Sequence, residues 1–362
     1  MAYNTLSGLR SANEVSPAMP TLTRALYIKT FLSIAEQEIL HDRFGQKTTL
    51  TKGNGNQVMW RRWLRLAVNT VPLSEGITPS GKQLAYENVL GTVYWYGDWV
   101  GITDVVDFMH PDNVLMMATK RLALQAAETK DVIVRDVINA GTSFLRVTAD
   151  YTSGSGTMTT GVGARTTVAG SITKRALDTA ITMLEGANAK YFHGQMSAST
   201  KVDTSPLAPA YVCIIHPHVA HDLVNAAAGF ATGDWIPRQK YASGGVAYPT
   251  EIGTYRNVRF VTTTLAKVWP DAATGISTGG STAAATFRAT SGTAPDVYSC
   301  LVMGKDAYGV IKLEGAAATY YDRPGGNSDP LHQRATAGWK ACLGAAILED
   351  ENMVRIECCA RW

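Results

Sequence analysis

Charge is scarce in this chain. Asp, Glu, Lys and Arg make up 17% of its 362 residues, against about 25% in an ordinary soluble domain. A surface so short of charge, in a chain rich in Gly, Ala and Thr, fits a protein that hides much of its surface in assembly. The net charge of +3 is too small by itself to drive nucleic-acid binding through phosphate contacts. Cysteine is also sparse. Cys213, Cys300, Cys342, Cys358 and Cys359 form no CxxC pair, their number is odd, and two are adjacent. That excludes a disulfide framework and predicts reduced, mostly buried thiols. No apolar run is long enough to span a bilayer. Met1-Ala2-Tyr3-Asn4-Thr5 lacks the apolar core of a signal peptide. The expectation is a chain made and kept in a reducing cytoplasm, with no membrane partner.

Catalytic patterns are missing too. There is no GxxxxGK[ST] phosphate loop and no GxSxG nucleophile elbow. Gly154, Gly156, Gly161 and Gly163 lie in polar low-complexity sequence, where flexibility explains them. Asp131 and Asp136, like Glu36 and Glu38, have no spacing that implies paired acid and base work. They are expected to be exposed helix charges. The sharpest enzymatic pattern is His216-Pro217-His218-Val219-Ala220-His221-Asp222 after a strand. It resembles the HxHxDH motif of metallo-β-lactamase-like hydrolases, and His side chains so clustered can chelate zinc. Ala220 stands where that motif has Asp, however, and Pro217 signals a helix start. A strand-to-helix turn is the simpler reading, and a zinc-dependent hydrolase on His216, His218 and His221 is the alternative.

What the chain does have is a core and a pattern. Hydrophobic residues make up 46%, enough for a sizeable interior. Residues 1–20 are polar and predict an extended arm, and 21–44 carry a helical pattern. Between 21 and 66 there are eight Lys and Arg against three acids, a basic surface for solvent or a partner. Lys52-Gly53-Asn54-Gly55-Asn56 is a turn signal. His110-Pro111 opens the clearest helix, because proline's missing N–H has no intrahelical partner at the first position. Leu115, Ala118, Leu122, Ala126, Thr129, Ile133, Val137 and Ala140 make its apolar stripe, and Gly141 is its expected C-cap. Residues 148–170 predict a loop or loose hairpin. Ser171 is expected to cap a helix buried at Leu177, Ile181 and Leu184. A strand over 210–215 precedes a helix from His216-Pro217 to Asn225. Strands are expected over Tyr255–Thr262, Val297–Met303 and Ala307–Leu313. Residues 271–295 predict a surface excursion. Thr336–Leu348 and Met353–Cys359 are expected to form a hairpin. Strands and helices without regular alternation argue an α+β fold.

Two strand-like runs do not fit a self-contained domain. One spans residues 56–66 and includes Arg61, Arg62, Trp63 and Arg65. The other spans 86–104 and includes Trp95 and Trp99. Neither alternates simply, and the first would extend roughly 36 Å at ~3.3 Å per residue. A two-stranded ribbon is marginal in water, so surfaces from other chains are expected on it. Its aromatic and arginine residues could also stack single-stranded bases, which makes a nucleic-acid binder a further alternative. They are as typical of protein interfaces, and the interface is favoured.

Several segments then converge on a family. Leu73-Ser74-Glu75-Gly76-Ile77-Thr78-Pro79 after a basic strand resembles the extended-loop segment of N4-like tailed-phage major capsid proteins. The helix after His110-Pro111 resembles their spine helix. Tyr211–Pro217 with Asp222-Leu223, Gly253–Val261, Asp329–Arg334, Gly338-Trp339-Lys340 and Met353–Glu357 follow in the family's order. The resemblance implies an HK97-type α+β capsid fold. It would have an N-terminal arm (1–50), an extended loop (51–104), a peripheral domain of spine helix plus hairpin (105–172 and 333–362), and an axial domain (173–332). It implies self-assembly into hexamers and pentamers of an icosahedral virion shell, built in the host bacterial cytoplasm. That shell would enclose double-stranded DNA without sequence-specific binding, with portal, scaffolding or decoration proteins as further partners. Arg61, Arg62, Trp63, Arg65, Glu75, Gly76, Trp95 and Trp99 would meet neighbouring subunits. No catalytic residue, metal or cofactor is implied.

Overall fold

A computed structural model describes residues 40–73, 75–78, 80–103, 114–148, 158–160, 163–192, 208–224, 234–241, 248, 250–273, 287–290, 294–314, 318–322 and 333–361. The arm expected over 1–20 and most of the helix expected over 21–44 lie outside these residues. A single helical turn, His41–Phe44, comes first among the described residues. The strands and helices then follow as β1 (Gln46–Leu50), β2 (Gln57–Trp63), β3 (Tyr86–Thr92), β4 (Tyr94–Thr103), α1 (Val114–Ile138), β5 (Phe144–Val147), β6 (Met158–Thr160) and α2 (Lys174–Gly186). Next are β7 (Tyr211–Ile215), α3 (Pro217–Val224), β8 (Trp235–Pro237), β9 (Glu251–Tyr255), β10 (Val258–Thr262) and β11 (Val268–Trp269). The chain closes with β12 (Val297–Met303), β13 (Tyr308–Leu313), β14 (Ala318–Asp322), β15 (Arg334–Ile347) and β16 (Met353–Cys359).

Two large sheets and the two-stranded β2–β3 sheet organise these elements among the described residues. In the five-stranded sheet, β15 carries β4 along one edge and β13 and β14 along the other, and β1 joins parallel to β13. The nine-stranded sheet runs β6-β5-β16-β12-β7-β10-β9-β8, with β11 on β12. Its central strand β12 is buried at every position. Its apolar run, Val297-Tyr298-Ser299-Cys300-Leu301-Val302-Met303, suits a strand covered on both faces. Helices α2 and α3 cover one face through Leu177, Ile181, Leu184, Val219 and Leu223. The end of α1 covers the other through Val134 and Ile138. The start of α1 packs on the five-stranded sheet, with Leu122 against Ala337 and Trp339. This helix therefore ties the two sheets together.

The structure changes several expectations. Residues 334–347 and 353–359 form no hairpin, because β15 and β16 lie in different sheets. The turn between them is pinned elsewhere. Asp350 Oδ2 accepts the N–H groups of Thr142 (2.9 Å) and Ser143 (3.1 Å), just past α1. The α1 stripe also turns as the helix crosses between sheets. Its buried residues are Leu115, Leu122, Ala123, Ala127, Asp131, Val134 and Ile138, rather than Ala126, Thr129, Ile133 and Val137. Asp131, expected to be exposed, is fully buried. It accepts from the backbone N–H of Leu40 (3.0 Å) and His41 (2.6 Å) and pairs with His41 Nδ1 at 2.5 Å. Asp136 is exposed as expected. Thr173, not Ser171, caps α2: its hydroxyl accepts from the Ala176 N–H at 3.2 Å. The run over 255–262 is folded, with Arg256 at φ 48° turning the chain from β9 into antiparallel β10.

Of the loop or loose hairpin expected over 148–170, residues 149–157 and 161–162 lie outside the described residues; β6 pairs antiparallel with β5, which precedes that span. The strands at 211–215, 297–303 and 308–313 and the helix after His216 stand close to where they were expected. All five cysteines are free and buried. Within 271–295, part of the expected excursion lies outside the described residues. Ala273 and Phe287 are instead buried against Val297 and Cys359.

Candidate assembly interface

The two long runs divide differently from the expectation. The first strand stops at Trp63 rather than continuing to residue 66. The second splits at Val93, which is buried. Only β2 and β3 form the ribbon, in register from Gln57 opposite Thr92 to Trp63 opposite Tyr86. Strand β4 belongs to the five-stranded sheet, paired with β15 from Tyr94–Leu343 to Thr103–Arg334. The turn before β2 holds Gly53 at φ 97° and Gly55 at φ 79°, the left-handed conformations glycine adopts without strain.

Side chains alternate along β2. Val58, Trp60 and Arg62 face the chain's own body, whereas Met59, Arg61 and Trp63 face out. The inner face is therefore covered within the subunit. The Trp60 indole packs with Leu50, Val93 and Ile311, and its Nε1 donates to Thr48 Oγ1 at 3.3 Å. Arg62 donates to Glu87 across the ribbon at 2.7 Å and pairs with Glu349 at 2.6 Å. The Glu87 hydrogen bond, aided by Glu349 against partial burial, raises the Arg62 pKa above its ordinary value. Arg62 was expected to meet a neighbouring subunit; two acidic partners stand in its own chain. The outer face stays open. Trp63 and Tyr86 meet edge to face at 5.5 Å, and Arg61 lies 4.4 Å from the Tyr86 ring.

Beyond Trp63, residues 64–85 leave the ribbon without strand pairing among the described residues. Here lie Arg65, Glu75 and Gly76, all exposed, with Gly76 at φ 75° in the turn. Large apolar side chains line this excursion in the open: Val68 is 80% accessible, Leu73 74% and Ile77 69%, with Leu64, Leu66, Val71 and Leu84 also exposed. A single exposed aliphatic residue is unremarkable, but a series along one segment marks an interaction surface.

Trp95 and Trp99 make a second patch, on β4. Both are about half exposed. They flank Gly97, and Trp99 stands over Gly338, where a Cβ on Gly338 would come within 2.9 Å of the Trp99 Cβ. Lys340 Nζ lies 4.4 Å from the Trp95 ring. The structure therefore brings Arg61 and Trp63 together, gives Arg62 to the body, and puts Arg65, Glu75 and Gly76 on the excursion. The tryptophans sit on another strand. A single aromatic and arginine ribbon for stacking bases is not formed.

The histidine cluster forms a helix start. The His218 N–H donates to His216 Nδ1 at 3.2 Å, and His218 Nδ1 shares a hydrogen bond with the Tyr298 hydroxyl at 3.0 Å. The His221 side chain is largely exposed, 3.8 Å from Asp222. Burial, then the nearby His218 and Arg288, push the His216 pKa down to about 4. Among the described residues no group of three or more His, Cys, Asp or Glu side chains is placed to hold a metal ion. No described helix is long and apolar enough to cross a membrane.

Glu87, Glu349 and Trp60 were missed by sequence reasoning. Cross-strand register would have paired Arg62 with Glu87, and the alternation of β2 would have put Trp60 beside Arg62. Nothing local linked Glu349 to the ribbon.

Residues 86–323 match the model of a family described as "Phage capsid protein". No curated protein matches the chain. Among solved structures, the capsid of Ralstonia phage GP4 aligns at 12% identity with a TM-score of 0.59, covering 99% of this chain and 95% of that one. The capsid structure of cyanophage P-SCSP1u aligns at 15% identity and 0.55, covering 97% and 93%. The capsid asymmetric unit of cyanophage Pam1 aligns at 14% and 0.52, covering 99% of each chain.

Proposed function

The chain belongs to the phage capsid protein family, and from that premise we propose that it is the major capsid protein of a tailed double-stranded DNA bacteriophage, with an HK97-type α+β fold. Its work is geometric rather than catalytic. Copies associate as hexamers and pentamers and close an icosahedral shell around DNA that they do not read. Assembly takes place in the host cytoplasm, and portal, scaffolding and decoration proteins are further partners. The ordered segments from Leu73 to Glu357 support an N4-like affiliation. The domain division expected from the sequence, 105–172 with 333–362 against 173–332, is redrawn by sheet: the peripheral part is built on α1 and the five-stranded sheet, which takes β13 and β14, and the axial part on the nine-stranded sheet, which takes β5, β6 and β16.

The observation that carries this reading is the exposed apolar excursion over 64–85. A monomer gains nothing by holding Val68, Val71, Leu73 and Ile77 in water. Each such side chain contributes about 1.5–3 kcal/mol when a neighbour covers it. The excursion lies across an adjacent subunit, with Glu75-Gly76 seating its turn and Arg61, Trp63 and Arg65 meeting the neighbour along its stem. Trp95 and Trp99 receive a further contact on the subunit's own sheet. The charges fix register more than affinity, and closed symmetry multiplies the modest individual contacts.

The test is a double substitution, Leu73→Asp with Ile77→Asp. Both side chains are exposed, so the subunit keeps its fold and its circular dichroism while particles are lost from electron micrographs. Normal particles from that variant would remove the excursion from the assembly contact.

A further inference from the structure

The ribbon's inner face bears contacts that neither a free loop nor a contact with a neighbour requires. Trp60 is seated between two glycines on different elements. A Cβ on Gly91 of β3 would stand 2.6 Å from the Trp60 ring, and one on Gly309 of β13 would stand 2.7 Å from it. Both approaches are closer than a Cβ normally makes to a rigid ring, so the indole lies flat where only a backbone surface leaves room. Its Nε1 hydrogen bond to Thr48 adds a strand of the same sheet. Two residues on, Arg62 bridges Glu87 of the ribbon to Glu349 of the turn after β15. That turn is itself tied to the end of α1 through Asp350.

We propose that Trp60 on Gly309 and Arg62 on Glu349 form a two-point clamp that holds the β2–β3 ribbon down on its own subunit, and so sets the direction in which residues 64–85 leave it. Trp60, Gly309 and Glu349 are positioning residues: they act on the excursion through the ribbon. The two points differ in kind. The indole is a packed pivot, with Trp60 half-buried against the cluster of Leu50, Val93 and Ile311. The ion pair lies toward the free end of the ribbon, 38% and 35% exposed on its two side chains, and is the weaker and more salt-sensitive point. Losing the ion pair leaves the pivot in place and lets the excursion swing. Losing the pivot frees the whole ribbon. The clamp stands on one subunit alone, and its consequence for assembly rests on the shell reading.

Hydrogen exchange on the unassembled subunit tests the clamp, because a lone two-stranded ribbon is marginal in water and its amides are protected only while it is docked. Gly309→Ala lies on the body, yet it is expected to speed exchange of the 57–63 and 86–92 amides by roughly tenfold or more, since overpacking against a rigid ring is costly. Glu349→Gln is expected to speed the same amides by about two- to fivefold. Exchange in β12 stays unchanged in both variants, which separates a loosened ribbon from a destabilised body. Unchanged ribbon exchange in Gly309→Ala, or acceleration shared equally by β12, overturns the clamp. Under assembly conditions the Glu349→Gln subunit is expected to give a broader spread of particle diameters than wild type. A loosened ribbon with wild-type diameters overturns the positioning role. Wild-type subunits that form no particles count against the shell reading, while the exchange result still decides the clamp.

Discussion

Replacing Asp131 with Ala tests the account at the point where sequence and structure disagree most. On the sequence, Asp131 is an exposed charge on a long helix, and its loss would change stability by less than about 0.5 kcal/mol. In the structure its side chain is fully buried, holding two backbone N–H groups and the His41 ring at 3.0, 2.6 and 2.5 Å. The substitution strands those donors and leaves His41, itself buried, without its carboxylate. Leaving these buried donors without an acceptor costs about 3–5 kcal/mol in all, at about 1–3 kcal/mol for each group. With an unfolding entropy of about 2.1 cal/mol/K per residue over 362 residues, the melting temperature falls by roughly 4–7 °C. Urea unfolding followed by far-ultraviolet circular dichroism gives the free energy. Asp131→Asn keeps an acceptor for the backbone and recovers about half of the loss. A loss under about 0.5 kcal/mol for Asp131→Ala would refute the burial and the docking of residues 40–44 on α1.

Acid sensitivity follows from His216. With its pKa pushed down to about 4 by burial and by His218 and Arg288, it stays neutral where the unfolded chain, near 6.5, takes a proton. Its contribution is therefore complete above about pH 6.5 and is lost as the pH falls toward about 4. His216→Asn keeps an acceptor for the His218 N–H and an Asx cap, so urea midpoints between pH 6.5 and 4 fall less steeply than in wild type; equal slopes would contradict the assignment. Glu357 acts lower. Burial pushes its carboxyl up, but Arg165, Arg355 and Arg146 together hold it below the usual range, so its contribution is present above about pH 4.5 and lost in stronger acid. The thiols give a third check. Burial raises the Cys213 pKa, and the neighbouring Cys300 together with burial raises that of Cys358. A thiol reagent should label native subunits slowly and all five sites in denaturant; rapid native labelling would show that these strands are not buried.

The sequence carried the elements better than their connections. Leu177, Ile181 and Leu184 repeat at helical spacing, and all three are buried in the core. The Val297–Met303 run has no polar face to misplace. Connections failed where a distant residue decides. Two strands separated by a short acidic turn resemble a hairpin, but Asp350 is held by Thr142 and Ser143, some 200 residues earlier, which sends β16 into the other sheet. Asp131 has no local mark of burial, because its partners lie 90 and 91 positions away. The candidate interface was legible in part. Trp63, Arg61 and the Glu75-Gly76 turn are as open as their composition implied. The misfit of a long two-faced ribbon was half real: its inner face is covered by the chain's own Trp60 seat and Arg62 pairs, and the outer face and the excursion stay exposed.

Particle size under native conditions tests the shell directly. Electron microscopy of the purified chain should show closed icosahedral particles of megadalton mass, with residues 64–85 of each subunit protected from protease only after assembly. A protein that remains monomeric at every concentration, with that segment equally open to protease throughout, would contradict the central claim.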